Sequence, residues 1–102
     1  MRSVVLLLLI TACSNSTGIT EADISCDSTL TYDNFGESFV SEYCSSCHAG
    51  KQRPDLSSQS GIQANVDDIL NEAVYTSDMP DGGSLTNEQR ITLGQWLECG
   101  AP

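Results

Sequence analysis

Basic residues are scarce in this chain. Four Lys and Arg stand against fourteen Asp and Glu in 102 residues, a formal net charge of −10. That balance excludes affinity built on neutralising phosphates, so it argues against nucleic acid and against a direct electrostatic hold on anionic lipid. It suits a partner with a basic docking face, and it equally serves solubility. Histidine is scarcer still, with His48 alone. A structural zinc site needs four ligands, and a lone histidine is a poor start for one. Long apolar runs are absent too. The longest, Val4 to Ile10, has seven residues, whereas a membrane-spanning helix needs about 20. No stretch alternates apolar and polar residues as a half-buried strand would, and no repeat or low-complexity tract appears. A chain of this length holds one small domain, and the missing strands leave an all-α reading with long loops.

What is present centres on Cys44-Ser45-Ser46-Cys47-His48. C-x-x-C-H is the attachment signal for c-type haem. Two thiols separated by two residues match the spacing of the porphyrin vinyl groups, to which they add as thioethers. The histidine follows at once, placing its imidazole beneath the ring as an iron ligand. It binds as the neutral ring, with the second N–H free for another partner. A redox dithiol is the competing use of the two cysteines, but the thioredoxin-like motif belongs to a βαβ setting, and none is visible.

The N-terminus carries a second signal. Met1-Arg2 is a short positive start, Val4 to Ile10 is apolar, and Ile10-Thr11-Ala12-Cys13 ends the run on small residues and a cysteine. This departs from the general secretory pattern and resembles a bacterial lipoprotein signal. The resemblance implies cleavage of residues 1–12 and a lipid on Cys13. It places the protein in the cell envelope, facing the periplasm. Ser14 rather than aspartate after the cysteine favours an outer membrane where there is one. Cleavage removes Arg2 alone among charged residues, so the mature chain is more acidic still. Of five cysteines, Cys13 then takes lipid and Cys44 and Cys47 take haem. Cys26 and Cys99 remain, as a disulfide or as two unrelated thiols; an even pair in an exported chain favours the disulfide.

Residues 13–33 are rich in Ser, Thr and Asp, and read as a lipidated N-terminus and polar tether that cannot fold alone. Residues 34–102 form the folded domain. A first helix is expected from about Asn34 to Cys44, capped by Thr31 or Asp33, with Phe35, Phe39, Val40 and Tyr43 at helical spacing. Gly36 lies on that side and suits close approach by another helix. A middle helix is expected from about Asn65 to Tyr75, with Val66, Ile69, Leu70, Ala73 and Val74 on one face. The last helix has the clearest bounds: Thr86-Asn87-Glu88-Gln89 is a capping box and Gly100 a stop. Gly94 there again permits a close contact.

Met79 precedes Pro80, which pushes it towards extended backbone on a loop. A flexible thioether so placed can reach across to iron; packing in the core is the ordinary alternative use of a methionine. No second histidine exists for bis-histidine ligation, and Lys51, Tyr75 and water are the rival ligands.

From Asn34 to Gly100 the chain resembles the class I cytochromes c, the monohaem electron-transfer family. The likeness rests on the C-x-x-C-H motif, on Met79-Pro80, on Gly36 eight positions before Cys44, on Leu93 with Trp96 three positions on, and on Pro54-Asp55-Leu56. It implies a small cytochrome c fold of three or four helices around one covalent haem c. It implies that the first and last helices cross at Gly36 and Trp96. It implies that the Pro54 carbonyl accepts the His48 N–H and that Leu56 packs on the haem. The loop from His48 to Pro54 is short, as in compact bacterial members. The implied function is one-electron transfer between a donor and an acceptor protein, not enzymatic turnover. A haem sensor or minor peroxidase-like site, with Met79 off the iron, is the rival from another class, and it lacks a distal histidine. A haem subunit of a larger membrane complex is a third reading.

Overall fold

The computed structural model describes residues 16–44, 55–79 and 85–102. They are mostly helical, and among them no strand forms; an isolated bridge joins Ser16 to Thr76. A short turn of 3₁₀ helix, Glu21–Asp23, precedes the first long element. That element opens as a π turn, Tyr32–Gly36, and continues as helix α1, Glu37–Tyr43. Helix α2 is Gln59–Ala64. Helix α3, Val66–Ile69, runs on into a π turn, Leu70–Val74. Helix α4 is Asn87–Leu97.

Local chemistry sets the helix starts. The Thr31 hydroxyl accepts from the Asn34 N–H at 3.1 Å, and Asn34 Oδ1 accepts from the Thr31 N–H at 2.8 Å. Thr31, not Asp33, is therefore the cap, with Asn34 in the role usually taken by Glu or Gln. At α4 the Thr86 hydroxyl accepts from Gln89 N–H at 3.1 Å and Gln89 Oε1 from Thr86 N–H at 2.8 Å, the expected capping box. Thr86→Ala is expected to cost about 1 kcal/mol, read as a lower urea midpoint at unchanged slope. An unmoved midpoint would show that the box adds nothing. The far end of α4 closes through Gly100 at φ +90°, with its N–H on the Leu97 carbonyl at 2.8 Å. Ala101 follows with φ 57°, an unfavourable region for a residue with a β-carbon. It is buried, and its carbonyl accepts from both Gln59 Nε2 and Gln63 Nε2 at 3.1 Å. Those bonds dock α2 on the C-terminal turn.

Helix α2 has no counterpart in the sequence reading. Its six residues carry no apolar periodicity. It depends on a cap, the Ser58 hydroxyl accepting from Gly61 N–H at 3.1 Å, on burial of Ile62, and on the two glutamines that meet Ala101.

The core is contributed by Phe39 and Val40 of α1, Ile62 of α2, the run Ile69, Leu70, Ala73 and Val74, and Leu93, Trp96 and Leu97 of α4. The Trp96 ring lies directly against Gly36: a β-carbon built there would sit 2.7 Å from Cε2 of the indole. This is the close approach that the glycine allows. Phe35 meets the same indole edge-on, with centroids 5.8 Å apart.

The tether reading of residues 13–33 needs correction over its described part. Residues 16–33 lie on the domain. Ile19 and Ile24 are buried in the core, Ile24 reaching to Gly94. Thr17 N–H donates to the Tyr75 carbonyl at 3.1 Å, its hydroxyl donates to the Val74 carbonyl at 2.7 Å, and Asn87 Nδ2 donates to the Thr17 carbonyl at 3.2 Å. A polar stretch that cannot fold alone can still fold onto a finished surface, because two isoleucines and a few main-chain bonds suffice once the ends are held. One such hold is a disulfide between Cys26 and Cys99, Cα atoms 4.9 Å apart. Beside it, Asp27 N–H donates to the Gln95 carbonyl at 3.2 Å.

Candidate functional site

Of the residues assigned to the haem or to lipid, Cys44, Leu56 and Met79 are described. Cys13, Cys47, His48 and Pro54 lie outside the described residues.

Cys44 ends α1, its N–H donating to the Val40 carbonyl at 2.8 Å. Its position follows from helix register: Phe39 and Val40 are buried and Tyr43 is half-buried, so the next residue emerges beside the core. Gln89 Nε2 donates to the Tyr43 hydroxyl at 3.2 Å, tying this end of α1 to α4. Cys44 is a free, half-buried thiol packed against the apolar core, and burial pushes its pKa up to about 11. Attacking thiols of redox dithiols have depressed pKa values, favoured by nearby positive charge or a helix N-terminus. Cys44 sits at a helix C-terminus and shifts the other way. Leu56 is buried in the same core, and Met79 packs against it half-exposed. All three belong to the domain's apolar core, Leu56 within it and Cys44 and Met79 packed against it.

The main chain of Met79 is fixed at both polar groups. Its N–H donates to the Glu72 carbonyl at 2.8 Å, and its carbonyl accepts from Arg90 Nη1 at 2.8 Å. The segment between α3 and Met79 is held further by the Thr76 hydroxyl, which donates to the Asn71 carbonyl at 2.6 Å. Arg90 was not picked out from sequence. A signal was there: Arg90, Leu93, Gly94 and Leu97 follow the i, i+3, i+4, i+7 spacing of a buried stripe, and all four are buried.

Comparison with protein-family models, curated proteins and solved structures returns no match.

The site is therefore argued from its residues. Among the described residues, no group of three or more His, Cys, Asp and Glu could hold a metal ion. The sequence-derived ligand pair is of another kind, one imidazole and one thioether, and its imidazole lies outside the described residues. In the described part, Cys44 and Met79 both pack against the apolar core, and an apolar core is the surface a flat apolar ring needs. The main chain of Met79 is tied down by its own hydrogen bonds, and its side chain packs half-exposed on that core. Among the described residues, no helix is long and apolar enough to cross a membrane.

Proposed function

We propose that this chain is a one-electron carrier of the cytochrome c type, held at an envelope membrane by a lipid on Cys13. The observation that carries the reading is the Cys44-Ser45-Ser46-Cys47-His48 motif; the packing of Cys44 and Met79 against the apolar core is compatible with it. Cys44 and Cys47 would anchor haem c through thioethers, His48 would be one axial ligand and Met79 the other. The bound group would supply reversible one-electron chemistry at its iron. The protein's part would be to hold the group through both His48 and Met79, which would leave no open place for a substrate. A thioether ligand favours the reduced state relative to a second imidazole. Leu56, Ile69, Leu70 and Val74 are buried in the core and, packed against the group, would exclude water and work in the same direction. Pro54, by the family resemblance, would accept the His48 N–H on its carbonyl and orient the imidazole. The acidic surface would guide docking of donor and acceptor proteins through their basic faces, with an on-rate that falls as salt rises.

The test is mass spectrometry and a reduced absorption spectrum of protein exported from a host with a haem-attachment system. One haem per chain is expected, and Cys47→Ala should lose most of it. A chain of unmodified mass would end the reading. In the loaded protein Met79→Ala should lower the potential and admit imidazole to the iron while the helical signal in circular dichroism is kept. An unchanged spectrum and potential would assign the sixth position to another residue.

A further inference from the structure

Arg90 is a buried charged side chain, 2 % exposed. Burying a guanidinium costs several kcal/mol unless its donors are well used. Here Nη1 donates to the carbonyls of Ala73 at 2.6 Å, Met79 at 2.8 Å and Thr76 at 3.4 Å. These acceptors lie in order along one piece of chain. Ala73 is in the last turn after α3, where carbonyls run out of intrahelical partners and the helix dipole favours a cation. Thr76 is in the link that follows, and Met79 is at its end. One side chain from α4 thereby clamps the whole approach to Met79. The second clamp, Met79 N–H on Glu72, comes from the same helical turn. With both main-chain groups of Met79 held, its side chain has only its own torsions left to search.

We propose that Arg90 is the positioning residue that holds Met79 where its thioether can serve as the sixth ligand, an inference that rests on the haem reading above. All three carbonyls converge on the one nitrogen Nη1, so the clamp requires a cationic donor group carried to that point by the full length of the arginine stem. An ammonium also offers several donors at one point, but on a shorter stem, so lysine can replace the clamp only in part. Loosening the clamp frees the loop before it unfolds the domain, so the ligand, not the fold, is lost first.

The experiment uses exported full-length protein carrying its haem, as wild type, Arg90→Met, Arg90→Lys and Leu97→Ala. Arg90→Met keeps a long apolar stem and removes the donors. Leu97→Ala opens the same buried helix face two turns beyond Arg90 and leaves the Arg90 hydrogen bonds to Ala73, Thr76 and Met79 in place. Arg90→Met is expected to weaken the methionine–iron absorption band and to raise affinity for added imidazole at least tenfold, well below its melting temperature. Arg90→Lys should fall between it and wild type. Leu97→Ala should lower the melting temperature and leave band and imidazole affinity unchanged. Adding Arg90→Met to Met79→Ala should give no further gain in imidazole affinity. If Arg90→Met lowers only the melting temperature, with band and affinity as in wild type, Arg90 is a packing residue and the proposal is overturned. Should Arg90→Met fail to fold, amide exchange in Arg90→Lys decides: faster exchange at Met79 and Tyr75 supports the clamp, and unchanged exchange overturns it. The same exchange measurement reads the clamp in a chain found to carry no haem, so a failed haem reading and a failed clamp give different results.

Discussion

Trp96→Ala is expected to lower the stability of the domain by about 3–5 kcal/mol, the usual cost of removing a large buried aromatic. For a domain this small that is a large share of the total. Trp96 is 0 % exposed and occupies the crossing of α1 and α4. Its ring covers Gly36 and meets Phe35 edge-on at 5.8 Å. Its indole N–H donates to the Pro102 carbonyl at 3.3 Å, the same carbonyl that takes the Tyr32 N–H at 2.6 Å. Truncation therefore opens a void between the two helices and loosens the C-terminal turn that docks α2. The complementary change is Gly36→Ala. Alanine gains about 1 kcal/mol in helix propensity over glycine, yet its β-carbon enters the space of a rigid, enclosed indole, and overpacking typically costs about 1–3 kcal/mol. A net loss is expected, and Trp96→Phe in the same chain should recover part of it, because the smaller ring vacates the contested volume. Urea unfolding of the four proteins measures the coupling. Additive effects of Gly36→Ala and Trp96→Phe would mean that the helices do not cross on this pair.

Cys26→Ser is expected to cost nearly as much, about 4 kcal/mol by loop-closure entropy for a bridge spanning 73 positions. The pair joins the strap ahead of α1 to the end of α4, with Cα atoms 4.9 Å apart, inside the range a disulfide can close. The effect should be graded along the chain. Amide exchange should quicken most at Asp27, whose N–H bonds Gln95, and at Ile24, and least in the α1–α4 crossing. Haem content by mass should be unchanged, since Cys44 and Cys47 take no part in this bridge. A reductant should lower the melting temperature of the wild type to that of Cys26→Ser and leave the variant where it is. Equal melting of oxidised wild type and variant would show that the two cysteines stabilise nothing by their union.

The correction at residues 16–33 shortens the tether that the proposed lipid on Cys13 would leave. A free tether from Ser14 to Ser25 would let the domain range over roughly 20 Å on average. Thr17, bonded to Val74 and Tyr75, stands only four positions after Cys13 in the sequence. The first described residues lie beside the link that leads to Met79, Ser16 bridging Thr76.

Much of the molecule was determined by the sequence alone, because the signals concerned are local. Caps act between residues three apart, so the Thr86–Gln89 box placed the start of α4, and Gly100 placed its end. Helical periodicity acts over a few turns, so α1, α3 and α4 and the all-α class were legible, as was the value of a glycine at Gly36. The Cys44–His48 motif and the solitary histidine belong to the sequence too, and the proposed function stands on them. Tertiary structure alone decided the rest. Helix α2 has too few apolar residues to announce itself and is held by Gln59 and Gln63 on a carbonyl some 40 positions away. Ile19 and Ile24 looked too sparse to fold, until the α3–α4 surface gave them something to cover. For Arg90 the helical spacing pointed to a buried stripe, but not to what would satisfy its charge there, because the three carbonyls belong to another element. In each case the deciding energy is a contact between distant segments, which no local pattern records until the chain has closed on itself.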